Sequence, residues 1–448
     1  MYLTGIGEVL YKIPLIWEIR GIMQEKSALR RPYAWVPSLY VAEGIPYIIA
    51  MTVSVVLYKR LGISNRDIAL YTSWLYLPWV IKPLWSPFVD MYRTKRTWVV
   101  AMQLSLSLSF FAIALSIPGA LFFPCTLFFF WIMAFSSSTH DIAADGFYML
   151  GLQEDEQAAY VGVRTTFYRI ATIAAKGGLV ILAGWLEMRG LPVASAWSLA
   201  FFFLGGIFTL LFLYHFFILP YPILDRPAPV SSPEHRATEF FRILILFFKK
   251  KDITALLAFF LFYRFAEAQL VKMVAPFLLD PPAKGGLGLT TGEVGLVYGT
   301  VGVIALMAGG LAGGWAVYKR GLKYWLWIMA CAMHLPDLVF VYLAYALPRN
   351  LLVINLAVAI EQFGYGFGFT AFTMVMIQAA EGEYKTVHYA IGTGIMALGM
   401  MLPAMSSGWL QEQLGYRHFF LWVILSTIPG FIVTALIKVD PKFGKKVT

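Results

Sequence analysis

The chain has 448 residues, of which 59% are hydrophobic and only 13% charged, with a formal charge of +10. A soluble globular chain carries roughly 25% charged residues, and a mean hydropathy of +0.70 excludes that class. Cys125 and Cys331 stand alone in apolar runs, so no disulfide framework or metal site is implied, and the basic excess reads as membrane topology, not nucleic-acid binding.

Residues 1–33 interleave Glu8, Lys12, Glu18 and Arg20 with apolar residues and lack the features of a signal peptide. They predict a cytoplasmic amphipathic lead-in lying on the membrane surface. Twelve apolar spans follow, at 35–57, 68–89, 97–117, 121–146, 163–186, 196–219, 254–278, 293–316, 323–346, 351–379, 386–409 and 418–438. Each is about the length that crosses a bilayer as a helix. Residues 220–252 hold Pro220, Pro222, Pro227, Pro229 and Pro233 and close on Lys249-Lys250-Lys251. That cytoplasmic linker separates a six-helix bundle at 34–219 from a second at 253–448, which ends in a short basic tail. The expected fold is an all-α membrane protein of two six-helix halves. Lys and Arg gather in the connections on the side of the termini, which puts both ends in the cytoplasm.

Charges inside the spans carry the functional information, because lipid does not tolerate them unpaired. Span one holds Glu43-Gly44-Ile45-Pro46. Span two holds Lys82 close to Trp79, between Pro78 and Pro83, and ends at Asp90 before a turn with Arg93, Lys95 and Arg96. In span four, Asp141 and Asp145 are four apart and share a helix face. Span five carries Arg164, Tyr168, Arg169 and Lys176; span seven Tyr263, Arg264, Glu267 and Lys272; span ten Glu361-Gln362. An aqueous cavity shared by both halves is expected. Arg169, Lys176 and Lys82, with Trp79, Tyr168, Tyr263 and Gln362, would bind an anionic substrate there. Asp141, Glu43, Glu267 or Glu361 would take the coupling proton, while Asp90, Arg93 and Asp145 would act in gating. The competing account is mutual neutralisation, Asp141 by Arg169 and Arg264 by Glu267. No nucleophile elbow, metal motif or phosphate-binding loop is present, so no enzyme, metal or cofactor is expected.

Six plus six helices with a short basic turn after the second resemble the major facilitator superfamily. Ser137-Ser138-Thr139-His140-Asp141-Ile142-Ala143-Ala144-Asp145 resembles the Ser-x-x-Gln-Asp-Ile-x-x-Asp signature of the AmpG muropeptide permeases, in the branch that includes acetyl-coenzyme A transporters. Lys82-Pro83-Leu84-Trp85-Ser86-Pro87 with Asp90, Tyr168-Arg169, Tyr263-Arg264 and Glu361 with Gly364 are similar in the same order. His140 stands where that family often has Gln, and Lys176 where a small residue is common. The resemblance implies a monomeric, proton-driven importer in the bacterial inner membrane. It would carry amino sugars or anhydro-muropeptides from periplasm to cytoplasm. Acetyl-coenzyme A or another anionic metabolite is the alternative cargo, and a non-transporting membrane sensor the alternative role.

Overall fold

The computed structural model describes residues 32–226, 242–382, 384–441 and 443–445. The expected lead-in and most of the proline-rich linker lie outside the described residues. In chain order the helices are α1 (Pro32–Arg60), α2 (Asn65–Trp74), α3 (Leu77–Met91), α4 (Lys95–Ser116), α5 (Phe122–Gly151) and α6 (Ala159–Met188). They continue as α7 (Val193–Ile218), α8 (Ile253–Leu279), α9 (Thr291–Arg320), α10 (Leu322–Ala346), α11 (Leu351–Ala380) and α12 (Val387–Leu436). All but α2 and α3 are long and apolar enough to cross a bilayer, ten among the described residues. In hydrocarbon a backbone must satisfy its own polar groups, which selects helices.

Two expected spans differ from what forms. The second, 68–89, is two helices, because Pro78 sits in the first turn of α3. A proline ring disfavours helical backbone just before it, and the chain breaks at Leu75–Tyr76. The eleventh and twelfth run together as α12, bent at Gly415, whose φ of 69° and ψ of 165° suit glycine.

Other helices carry local irregularities at charged positions. α6 loosens into a π turn over Ala174–Leu179, which contains Lys176. Wide turns of this kind recur at functional sites. α8 is interrupted between Phe262 and Phe265, where Arg264 has φ −107° and ψ 19°.

Buried apolar side chains form three clusters. The largest is shared by the N-terminal helices (Leu57, Phe110, Trp197) and the C-terminal ones (Phe277, Phe340, Phe420). A second uses residues 35–219 only, and a third residues 247–433 only. The two sets of helices are thus joined around the ends of α1 and α8 and keep separate cores elsewhere.

Within the C-terminal set, α9 and α11 touch backbone to backbone. A Cβ on Gly366 would lie 2.0 Å from the Leu306 carbonyl oxygen, whereas one on Gly314 would meet nothing within 4 Å. Gly366→Leu is therefore expected to cost at least the 1–3 kcal/mol typical of overpacking. It should remove the monodisperse peak in size-exclusion chromatography, while Gly314→Leu should keep it. A normal Gly366→Leu profile would show that the two helices can part.

Candidate functional site

The charged residues fall into two clusters. The first gathers on α1, α3, α5 and α6. Proline near Lys82 and the i, i+4 spacing on α5 aim these side chains together. Carboxylate oxygens of Glu43, Asp141 and Asp145 all lie within 4.8 Å of one another. Lys82 Nζ pairs with Asp141 Oδ2, and Arg164 Nη2 with Asp145 Oδ1 at 2.6 Å. The Tyr40 hydroxyl also donates to Asp145, at 3.3 Å, and its ring lies 4.5 Å beneath the Arg164 guanidinium. Glu43 is buried, and its Oε2 meets no donor. The Lys82 and Asp141 side chains keep 26% and 21% of their surface, so this cluster opens onto accessible space.

The second cluster is drier. Glu267 (α8), Asp337 (α10) and Glu361 (α11) bring carboxylate oxygens within 4.8 Å of one another, at exposures of 0%, 1% and 1%. Gln362 donates to both Glu361 oxygens, at 3.1 and 2.9 Å. Neither oxygen of Glu267 or of Asp337 has a partner. Two charges at 4.8 Å repel by about 3–4 kcal/mol even at an effective dielectric constant of 20. Three ionised acids repel one another here, and the cations that act on them are Arg264 and Lys176. Lys176 Nζ rests 3.2 Å from the Tyr298 ring centroid, and Glu361 and Glu267 are its electrostatic neighbours.

Neither expected neutralisation occurs. Asp141 pairs with Lys82, not Arg169, and Arg264 bonds to the Tyr365 hydroxyl, not Glu267. Arg169 is half-buried on α6, with no hydrogen bond or ion pair to a described residue; its electrostatic neighbours include Tyr168 and Tyr365. Trp79 packs edge-on against Tyr47, centroids 5.1 Å apart. Tyr263, expected to face substrate, instead fills the C-terminal core, and its hydroxyl donates to the Gly368 carbonyl at 3.1 Å. The Asp90 side chain lies outside the described residues. Arg93 is exposed in the turn after α3, with a left-handed φ of 66°. His140 is held through Gln103 to His215, at 3.0 and 2.9 Å.

Sequence reasoning missed Asp337, a lone acid after Pro336 inside an apolar span. The rule that selected Glu267 would have found it. It also missed a polar network between the two sets of helices. Lys59 pairs with Asp280 at 2.7 Å and donates to Asn65 at 2.7 Å. Asn65 donates to Gln411 at 2.6 Å and to the Tyr416 hydroxyl at 2.9 Å, and Tyr416 donates to Asp280 at 2.6 Å. Nearby, Glu187 accepts from Arg60 and from Thr291, at 2.8 and 2.7 Å. Lys272, buried, donates to Thr72 at 3.0 Å.

Long apolar helices with charged groups turned inward make a polytopic membrane protein, and the solved structure of a D-xylose-proton symporter has the same fold. It superposes with a TM-score of 0.69 at 12% identity, over 93% of this chain and 98% of that one. The chain's sequence is similar to AmpG proteins over most of its length. It is 24% identical over 407 residues to AmpG 4 of Rickettsia conorii, covering 88% of this chain and 94% of the relative. It is 25% identical over 401 residues to the anhydromuropeptide permease of Escherichia coli K12, covering 88% and 77%. The BT1 family matches residues 43–218.

Proposed function

We propose that the protein is a proton-coupled secondary transporter that imports anionic cell-wall fragments by alternating access. The cargo is an anhydro-muropeptide or a related amino sugar, moved from periplasm to cytoplasm across the bacterial inner membrane. In this reading α2 with α3 make one crossing and α12 makes two, giving twelve crossings in two six-helix halves. The basic connections keep both termini cytoplasmic, and the monomer is the working unit. The Lys59–Asp280 network then closes the periplasmic side.

The observation that carries the reading is charge imbalance inside the membrane. In the first cluster two bases, Lys82 and Arg164, face three acids. The third negative charge has no bonded base, so Glu43 is the natural proton carrier. Arg169 is left free for the substrate's carboxylate, which a guanidinium fork binds bidentately. Trp79, Tyr168 and Gln362 supply ring faces and an amide, Lys176 a second cation.

The test uses purified protein in liposomes with labelled N-acetylglucosaminyl-anhydro-N-acetylmuramic acid. An acidic exterior should drive accumulation, and an uncoupler should abolish it. Glu43→Gln should keep counterflow within about threefold and lose at least about 90% of gradient-driven accumulation, since a fixed neutral group cannot titrate. Uptake indifferent to the gradient removes the proton step. Transport of acetyl-coenzyme A in place of the amino sugar replaces the cargo.

A further inference from the structure

Arg264 occupies a position that the charge pairing leaves unexplained. It sits in the break of α8, where the helix interrupts between Phe262 and Phe265. Only 7% of it is exposed, and its Nε–H has no acceptor. One arm of the fork bonds to the Tyr365 hydroxyl. The guanidinium carbon lies 4.8 Å from the Phe369 ring centroid and 5.2 Å from that of Tyr365. No described carboxylate lies within ion-pair distance, although the Arg264 charge acts on Glu267, three residues away.

An arginine stays charged whatever its surroundings. Two ring faces hold a guanidinium in place, but they do not replace a counter-ion in a dry site. Glu267 acts on the guanidinium only at longer range, and the Nε–H still lacks a bonded acceptor. The electrostatic neighbours of Arg264 across the interface are Tyr47 and Tyr76 of the N-terminal helices. Arg169, from α6, also acts on Tyr365. Charges from both sets of helices, Arg264 and Arg169, therefore act on one tyrosine.

We propose that Arg264, jointly with Arg169, binds the carboxylate of the transported ligand. The unused Nε–H and the free side of the fork supply the donors, and the Tyr47–Trp79 pair offers faces for the attached ring. This rests on the transporter reading above and extends it. The ligand's charge bridges the two sets of helices, so an anionic ligand, not a neutral one, draws them together.

The test is tryptophan-fluorescence titration of the detergent-purified full chain with N-acetylmuramic acid, its neutral methyl ester and acetyl-coenzyme A. Wild type should prefer the acid to the ester. Arg264→Gln should weaken the acid by about 10- to 100-fold, the range of a charge-assisted hydrogen bond, and leave the ester unchanged. Arg264→Lys keeps the charge without the fork and should recover part of the loss; it also serves if Arg264→Gln fails to fold. Equal weakening of acid and ester, or no weakening of either, overturns the assignment while the cargo stands. Wild type that takes acetyl-coenzyme A but not N-acetylmuramic acid, with Arg264→Gln abolishing it, overturns the cargo and the carboxylate but keeps Arg264 as the anion site. Wild type that binds none of the three overturns both.

Discussion

Lys82→Gln is expected to abolish uptake and to destabilise the protein more than Lys82→Gln combined with Asp141→Asn. Removing the lysine alone leaves Asp141, Asp145 and Glu43 facing one base, Arg164. Breaking a buried pair costs roughly 3–5 kcal/mol when one charge stays behind. Lys82 and Asp141 are a quarter and a fifth exposed, so water screens part of this and about 1–3 kcal/mol is a fair expectation. Neutralising both partners removes the stranded charge, and the double change should cost less than the sum of the singles. Thermal unfolding in detergent reads the stability, and liposome uptake reads function. Uptake should fall by at least about 100-fold in Lys82→Gln, in Asp141→Asn and in the double variant, because the pair lies in the cluster proposed to carry the proton. Strictly additive stabilities would mean the two side chains do not share an ion pair.

The contrast between pairs that form and pairs that were expected shows what a sequence holds. Asp141 and Asp145 on one helix face follow from a spacing of four, which is a property of one helix. That Asp141 meets Lys82 and not Arg169 depends on the rotation and depth of three helices far apart in the chain. No local pattern encodes that phase. Tyr263 looked like a wall residue because it precedes Arg264, yet the break in α8 turns it into the core. Pro78, by contrast, announced the interrupted second span. Asp337 was legible and overlooked. The Lys59–Asp280–Tyr416–Asn65 network was not legible, since its members stand at helix ends or at the bend of α12, where polar residues are ordinary, and Asn65 and Tyr416 are 351 positions apart.

The two acid clusters also divide the work by their surroundings. The one on α1, α3, α5 and α6 balances its acids with two bonded bases and opens to accessible space. The one on α8, α10 and α11 has no bonded base, and its neighbouring ammonium, Lys176, comes from α6. Any rearrangement that separates α6 from α9 would withdraw Lys176 from that triad. Under the proposed proton coupling the triad would take a proton in exchange, which would tie the position of a helix to the charge of a site.

That coupling requires a closure able to open, and the network at the ends of α1, α2 and α8 and the bend of α12 is its natural seat. Asp280→Ala is expected to shift the population toward a state open on that side by about 10- to 100-fold. It deletes the acceptor shared by Lys59 and Tyr416, at 2.7 and 2.6 Å, and a hydrogen bond to a charged group contributes about 1.5–3 kcal/mol. The packing beneath leaves no slack, since a Cβ on Gly408 would sit 1.9 Å from the Asn65 carbonyl oxygen. Thr72, fully buried and bonded to Lys272 just behind the network, is the reporter. With Cys125 and Cys331 replaced, a Thr72→Cys variant should react with an impermeant maleimide about tenfold or more faster once Asp280→Ala is added. Ligand binding should persist while net uptake falls, because the carrier lingers in one state. If Thr72→Cys reacts at the same rate with and without Asp280→Ala, these bonds hold helix ends together and gate nothing.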